Sequence, residues 1–268
     1  MKLLKTILIF SIFISGCEDN SINPSKGNRS WIFLGLVGKQ VVKIKTSPSY
    51  VYACTGLNGL YRIAKSSYDG QWEYIGLNGT ALINGIDTTK GVNSPNTEGV
   101  MDVVINPNNE NELLAAILVY KPNIPGIYKT TNGGRTWFEA DSGYGFEMPW
   151  WWPGHVVDSG KISSAMVLFN PANQFDVIFA GHSEAGIVYR TTNSGLTWEQ
   201  VFGFALNTFS SVESFSQDPV QSNTIFAGGS TSGPMANTVE PTWFSMSTDG
   251  GVNWTLLLPP RHFLMVTW

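Results

Sequence analysis

Four carboxylates could carry chemistry, because each lies in a predicted loop or near the end of a predicted strand. They are Asp102, Asp158, Glu184 and Glu213. Two carboxyl groups that flank one cleft at a fixed separation can act on a glycosidic bond as acid and as base or nucleophile. Nothing in the sequence pairs any two of the four. They are therefore candidates without an assigned partner, and the alternative is that they are solvated surface groups.

The most aromatic stretch of the chain is Tyr-Gly-Phe-Glu-Met-Pro-Trp-Trp-Trp-Pro-Gly-His, at 144–155. Trp150, Trp151 and Trp152 cannot all point one way on an extended chain, so at least one is expected to face outward unless another loop covers it. Flat rings suit the faces of sugars or an apolar patch on a protein partner. Tyr144, His155 and the three tryptophans are therefore candidate ligand-binding residues. The alternative is that these rings close one end of the domain as a local core.

Several classes of function are disfavoured by the composition. His155, His182 and His262 show no metal-ligand spacing with one another or with Cys54, and no glycine-rich loop opens a helix. We therefore predict no metal and no other cofactor. The net charge of −4 comes without a cluster of Lys and Arg, which argues against a nucleic-acid partner.

The elements that must position these residues are set by a repeated turn. It occurs as Lys129–Trp137, Arg190–Trp198 and Met246–Trp254, and each copy follows an apolar run. The Asn or Asp side chain is expected to fold back onto backbone amides two residues ahead, Gly to take a positive φ, and Trp to place its ring between sheets. The repeated residues are Asn132, Gly134, Thr136 and Trp137, then Asn193, Gly195, Thr197 and Trp198, then Asp249, Gly251, Asn253 and Trp254.

The repeated turn belongs to a longer unit that occurs four times. Each unit reads strand, turn with Pro, strand with small residues, strand, repeated turn and strand, which is the order of a four-stranded blade. The first unit has only a shortened turn, Ser67–Trp72, and in its second strand Cys54 aligns with the small residues of the other units, which predicts that the thiol is buried packing. The surplus length lies in loops at 78–99, 138–164 and 229–241.

These turns resemble the Asp-box, or BNR, repeat of sialidase-like and sortilin-like β-propellers, over residues 31–258. The resemblance implies an all-β fold, a β-propeller of at least four four-stranded antiparallel blades, with structural Asp-box residues. It also raises two enzyme classes, sialidases and xyloglucan-cleaving glycosidases. A sialidase needs three arginines around a carboxylate, and the chain has five in all, of which Arg135 lies inside a box and Arg29 precedes the domain.

At both ends of the repeat region, the sequence predicts strand segments that belong to none of the four units. Trp31–Leu36 looks like Trp72–Leu77, so it is either a lone first strand or the outer strand of a blade completed by the far end of the chain. Residues 259–268 suffice for the start of one further strand. Because open sheet edges promote aggregation, we expect either a chain truncated from a longer protein or an imperfectly closed small propeller, and we favour truncation.

The amino terminus predicts export. Residues 1–17 combine two lysines, a short apolar run and small residues before Cys17, which is typical of a secretory signal. Ile14-Ser-Gly-Cys17 resembles the lipobox of bacterial lipoproteins and implies lipidation of Cys17, with an ordinary signal peptide as the alternative. Polar residues 18–30 suit a flexible tether. The expected location is the bacterial cell envelope, at the outer membrane or cell surface, with the lipid as the only membrane attachment.

Together these observations predict an extracytoplasmic propeller that binds or scaffolds a glycan or an extracytoplasmic protein. The alternative is a glycoside hydrolase, which would need two carboxylates and an Arg converging on one cleft. A third possibility is an assembly factor, which would present a basic patch that this acidic sequence does not suggest.

Overall fold

The structure is a computed structural model of the 268-residue chain. It describes residues 34–67, 70–78, 97–119, 124–147, 161–171, 174–183, 185–203, 209–232 and 242–258. Within these ranges every regular element that we number is a β-strand. None of the described residues belongs to a helix long and apolar enough to cross a bilayer. Cys17 and residues 18–30 lie outside the described ranges, as does the final stretch 259–268.

Four antiparallel sheets follow one another along the chain, and we call them blades 1 to 4. Blade 1 contains β1 (Lys43–Thr46), β2 (Tyr50–Cys54), β3 (Leu60–Ala64) and β4 (Glu73–Tyr74). Blade 2 contains β5 (Thr97–Asn106), β6 (Asn109–Val119), β7 (Ile127–Thr130) and β8 (Phe138–Glu139). A small hairpin, β9 (Phe146–Glu147) with β10 (Lys161–Ile162), precedes blade 3.

The later blades keep the same order. Blade 3 contains β11 (Ala165–Phe169), β12 (Ile178–His182), β13 (Val188–Thr191) and β14 (Glu199–Phe202). Blade 4 contains β16 (Ser214–Gln217), β17 (Ile225–Ser232), β18 (Thr242–Ser247) and β19 (Thr255–Leu258), and β15 (Phe209–Ser210) pairs with the end of β17. The prediction of an all-β chain made of four-stranded antiparallel units is therefore confirmed.

The core consists of three apolar clusters, each between two consecutive blades. Strand β6 contributes side chains to two of these clusters. Leu113 and Ile117 face blade 1, whereas Leu114 and Ala116 face blade 3, because successive side chains of a strand point to opposite faces. All four are fully buried. A strand covered on both faces needs a continuous apolar run, and this explains Leu-Leu-Ala-Ala-Ile in the sequence.

The three repeated turns share one hydrogen-bond pattern. In the second copy, Gly195 N donates to Thr191 Oγ1 at 3.1 Å and Thr197 N donates to Asn193 Oδ1 at 2.9 Å. The equivalent bonds recur in the copies at 130–136 and 247–253. The Asn or Asp side chain therefore reaches an amide four residues ahead. Our expectation of two residues was wrong, because the hydroxyl at the start of the turn takes up the nearer Gly amide.

The turn tryptophans join neighbouring blades. The indole Nε1 of Trp137 donates to the carbonyl of Ile75, and that of Trp198 donates to the carbonyl of Ala140, both at 2.8 Å. Each acceptor immediately follows the fourth, or outer, strand of the preceding blade, β4 for Ile75 and β8 for Ala140. Trp254 differs, because its indole donates to Gly251 O within its own turn at 3.1 Å.

The shortened turn of blade 1 makes the same contact with the first described residues. Trp72 Nε1 donates to Leu34 O at 2.7 Å. Gly35 and Leu36 have φ values of 99° and 62°, and Gly76 and Leu77 have 110° and 61°. Leu34–Leu36 therefore accepts the turn tryptophan of blade 1 with the same backbone conformation with which Ile75–Leu77 accepts that of blade 2. This geometry supports the interpretation of the opening segment as the end of an outer strand.

Candidate functional site

The strand order assigns a different role to each end of the blades. In a four-stranded antiparallel blade, the connections between strands 1 and 2 and between strands 3 and 4 share one end. We call this the turn end, because it holds the proline turns and the repeated turns. The opposite end carries the connections between strands 2 and 3 and between successive blades, and we call it the loop end. The longest connections of the chain belong to the loop end, so a ligand site built on the blades is expected there.

Asp102 does not lie in an exposed loop. It belongs to the inner strand β5, its side chain is fully buried, and the amides of Val103 and Leu168 donate to it at 2.8 Å and 3.1 Å. The ammonium groups of Lys45 and Lys43 lie 3.3 Å and 3.5 Å from its two oxygens. A buried carboxylate needs such partners. Asp102 therefore bridges blades 1, 2 and 3, and the prediction of a candidate catalytic carboxylate at this position was wrong.

Glu213 has the opposite environment. It is exposed at the loop end, immediately before β16, where Ser211 Oγ donates to its Oε1 at 2.7 Å and Ser230 Oγ donates to the same oxygen at 2.5 Å. The two hydroxyl oxygens are 3.0 Å apart. We call Ser211, Glu213 and Ser230 the serine–glutamate cluster. It presents the carboxylate of Glu213 to solvent beside two half-buried hydroxyls, and a carboxylate can accept hydrogen bonds from a polar ligand.

Tyr144 is a core residue and not an exposed aromatic platform. Its side chain is fully buried, and its hydroxyl donates to Ser164 O at 3.2 Å. Its ring centroid lies 4.5 Å from that of Tyr189 and 5.9 Å from that of Trp198. Burial raises the pKa of Tyr144 well above its usual value. The expectation that Tyr144 binds ligand was therefore wrong, because the rings of blade 3 already cover it.

The buried ring of Tyr144 lies beside the base of the β9–β10 hairpin. Phe146 and Ile162 pair across the hairpin, and Ile162 is fully buried. His182 packs on Phe146 with ring centroids 5.0 Å apart. Burial lowers the pKa of His182 to about 4, so its imidazole is neutral at pH 7. The described residues on either side of 148–160 therefore form a packed apolar base.

Hydroxyl groups form a second polar feature near this base. Ser164 Oγ accepts the amide of Val119 at 3.0 Å and the hydroxyl of Ser183 at 2.7 Å. These bonds connect the end of β6 in blade 2 with the beginning and end of the first hairpin of blade 3. The sequence reasoning missed both the β9–β10 hairpin and this serine pair. Two-residue strands have too little periodicity to be read, although Ser163-Ser164 before an apolar strand was a visible signal.

The repeated-turn residues use their polar groups within their own turns. Asn132 and Asn193 each accept a backbone amide and donate to a Thr hydroxyl. Asp249 accepts the amide and the side-chain nitrogen of Asn253 at 2.8 Å and 2.7 Å. These bonds lower the pKa of Asp249 to about 2. The three side chains occupy three different blades, in keeping with a structural role.

Cys54 and the candidates that the structure does not describe remain. Cys54 is fully buried, and burial raises the pKa of its thiol, which confirms the interpretation as packing. No group of three metal-ligating side chains occurs in the parts of the chain that the structure describes. The other candidates lie outside those parts, and they are Trp150, Trp151, Trp152, His155, Asp158 and Glu184.

Comparison with solved structures finds β-propellers. An ancestral GH74 enzyme is similar over 83% of this chain and 24% of its own, with 20% identity and a TM-score of 0.53. A GH74 enzyme of Niastella koreensis is similar over 83% and 30%, with 21% identity and a TM-score of 0.51. The GH74 xyloglucanase of Xanthomonas campestris is similar over 80% and 29%, with 13% identity and a TM-score of 0.52.

These similarities establish the fold and nothing finer. The chain has a β-propeller fold of four-stranded blades, and it spans less than a third of the length of each of these three structures. A scan against protein-family models gives no match. A search of curated proteins gives none either.

Proposed function

We propose that the protein is an extracytoplasmic binding module that presents the loop end of its blades to a glycan. The observation that carries this proposal is the packed base of the 148–160 insert. Tyr144, Phe146 and Ile162 fix both ends of a segment that contains three consecutive tryptophans. The flat rings of tryptophan suit the faces of sugars.

The serine–glutamate cluster adds polar groups at the same end. Carbohydrate sites commonly combine a flat aromatic surface with a few hydrogen-bonding groups that fix orientation. Glu213 is a group of that kind and is exposed, and its two serines are half-buried beside it. The proposal does not require them to lie beside the insert, because a glycan chain can contact separate points of one propeller end.

A glycoside hydrolase is the second candidate, and one observation favours it. Glu213 is an exposed carboxylate on a propeller fold that is shared with a GH74 xyloglucanase. Hydrolysis would need a second carboxyl group, at about 5 to 5.5 Å for a retaining enzyme or about 6.5 to 9.5 Å for an inverting one. Asp102 is an unsuitable partner because its oxygens are held by two lysines and two amides.

The experiment exposes residues 18–268 to an array of plant, bacterial and sialylated glycans, with xyloglucan among them, and measures retained sugar and released reducing ends. Retention without release is the expected result. Release of reducing ends that disappears in Glu213→Gln would instead assign a hydrolase. A lack of both retention and release on the whole array would contradict the glycan proposal and direct the search to an extracytoplasmic protein partner.

We further propose that the repeated turns are Asp-boxes and that Cys17 carries a lipid in a bacterial envelope. The shared hydrogen bonds of the three turns support the first of these proposals. The lipobox-like sequence Ile14–Cys17 supports the second. Cys17→Ser should move the full chain from the detergent-extracted membrane fraction to the aqueous fraction, and unchanged fractionation would contradict the lipid anchor.

A further inference from the structure

The serine–glutamate cluster holds three oxygen atoms and two protons. Oε1 of Glu213 lies 2.7 Å from Ser211 Oγ and 2.5 Å from Ser230 Oγ, and the two hydroxyl oxygens lie 3.0 Å apart. Each hydroxyl has one proton and a carboxylate has none, so both protons are used inside the cluster whichever oxygen accepts them. Bonds from a hydroxyl to a carboxylate are roughly twice as strong as bonds between neutral groups. The cluster therefore offers lone pairs to a ligand, and no proton.

The sheet of blade 4 holds these oxygens in place. Ser211 N donates to Ser230 O at 2.9 Å. The indole of Trp243, which is buried, donates to Ser211 O at 3.0 Å. Gly229 lies so close to Ser211 O that a Cβ on the glycine would overlap the oxygen. The geometry of the cluster is thus set by a strand and its neighbours, as a binding site requires.

Blade 3 has the equivalent serine pair without the carboxylate. The strand registers identify Ser164 and Ser183 as that pair. Ser164 Oγ accepts the amide of Val119 at 3.0 Å, so the blade 3 pair is bonded to blade 2. Met166 takes the place of Glu213 there. The carboxylate of blade 4 is therefore a departure from the repeat, and it is exposed.

The charge of Glu213 has no cationic partner in the part of the chain that the structure describes, where the ion pairs use other carboxylates. A cluster with a negative charge and only acceptors matches a group with a positive charge and only donors. An ammonium is such a group, because it has three N–H donors and no acceptor. A calcium ion fits less well, since it takes about six to eight oxygen ligands.

We propose that the serine–glutamate cluster binds a protonated primary amine, and that the glycan at the loop end carries unsubstituted amino groups, as a glucosamine residue does. This inference rests on the proposed glycan-binding function. An N-acetylated sugar has no positive charge at this position and adds a carbonyl oxygen, which is an acceptor that the lone pairs of the cluster repel. A lysine side chain of a partner protein has the same ammonium chemistry, and the experiment separates the two sources.

The first arm compares two tetrasaccharides with the same linkage, one of glucosamine and one of N-acetylglucosamine. Calorimetric titration of residues 18–268 is done at physiological salt, which screens charges farther apart than about 8 Å. We expect the Kd for the glucosamine tetramer to be lower by about tenfold or more, as one hydrogen bond to a charged group allows. Equal affinities would overturn the amine proposal. Binding of neither tetramer, with other glycans retained on the array, would also overturn it and leave the glycan proposal intact.

Glu213→Gln should remove the preference for the glucosamine tetramer and leave the melting midpoint unchanged, because the side chain is exposed. The matched control is Glu139→Gln, which removes an exposed carboxylate from β8 of blade 2. It should keep the preference. Loss of the preference in both variants would overturn the proposal, since binding would then follow the net charge of the protein. A preference that survives Glu213→Gln would overturn it as well.

The second arm distinguishes the sources of the amine. A peptide with one lysine and a blocked amino terminus is compared with the same peptide carrying acetyl-lysine. If no glycan is retained and the lysine peptide alone binds, in a manner that Glu213→Gln abolishes, the cluster recognises the amine of a protein and the glycan proposal is overturned. Binding of neither amine, in sugar or in peptide, would overturn amine recognition itself.

Discussion

The turn end and the loop end of the blades use similar polar residues in different ways. At the turn end, the side-chain oxygens of Thr191 and Asn193 each accept a hydrogen bond from a backbone amide four residues ahead. The same pair of bonds occurs in three blades. At the loop end a serine pair occurs in two blades, as Ser164 with Ser183 in blade 3 and as Ser211 with Ser230 in blade 4. Both serines of the blade 4 pair donate to the exposed carboxylate of Glu213. Repetition identifies the hydroxyls that serve the fold. The group available for a ligand at the loop end is the exposed carboxylate of Glu213.

The same contrast separates two carboxylates that are alike in sequence. Asp102 lies in the first strand of blade 2, and Glu213 immediately precedes the first strand of blade 4. Asp102 is buried between two lysines and ties three blades together, whereas Glu213 faces solvent beside two serines. Burial and partners therefore decide which carboxylate is structural, and substitutions can test each half of the comparison.

The largest effect is expected at the turn end from Trp198→Ala. The ring is buried between blades 2 and 3 and donates to Ala140, so its removal should lower the free energy of unfolding by about 3 to 5 kcal/mol. Denaturant unfolding measures the change. Trp254→Ala is the matched control and should cost less, because its indole donates within its own turn. Equal costs would show that the bond to the preceding blade has no importance.

Asp102→Ala should lower the free energy of unfolding by about 3 kcal/mol, the lower part of the range for a broken buried pair. The cost stays in that part because Lys43 and Lys45 are about a third exposed, so water can solvate them once the carboxylate is gone. Asp102→Asn keeps the shape of the side chain and removes its charge. Its free energy of unfolding should lie between those of the wild type and Asp102→Ala. Wild-type stability in Asp102→Ala would contradict the structural assignment.

Thr191→Ala removes the acceptor for the Gly195 amide, which is buried in the turn. We expect a loss of about 1 to 2 kcal/mol in thermal or denaturant unfolding, the cost of leaving a buried donor unpaired. Thr191→Ser keeps the hydroxyl and should behave like the wild type, since Ser247 holds this position in blade 4. A serine variant as unstable as the alanine variant would mean that the methyl group, not the hydroxyl, matters.

The smallest effect is expected from the charge of Asp249. Its pKa is lowered from 3.8 to about 2 by bonds that favour the carboxylate. The stabilisation should therefore be complete above about pH 4 and lost as the pH falls toward 2. Asp249→Asn should remove this pH dependence, because the amide does not titrate. The substitution should keep the turn, since Asn132 and Asn193 occupy the equivalent position in the other two copies. Identical pH profiles for both proteins would contradict the assignment.

Sequence reasoning predicted the repeats better than the site. Gly134, Gly195 and Gly251 were identifiable because the same geometric need recurs in three blades. Cys54 was identifiable because its aligned neighbours are small. Asp102 and Tyr144 were misjudged, because their environments come from Lys43 and Lys45 in the first case and from Tyr189 and Trp198 in the second. Such distant partners leave no local pattern in the sequence.

The central claim is that the loop end binds a glycan while the turn end holds the blades together. The most direct test measures the affinity of residues 18–268 for a glycan retained on the array, in the variant with Trp150, Trp151 and Trp152 changed to Ala and in Thr191→Ala. We predict that the triple variant keeps its melting midpoint and loses binding, whereas Thr191→Ala is less stable and binds as before. Unchanged binding in the triple variant would contradict the claim. Loss of folding in that variant would contradict it as well, because the tryptophans would then belong to the core.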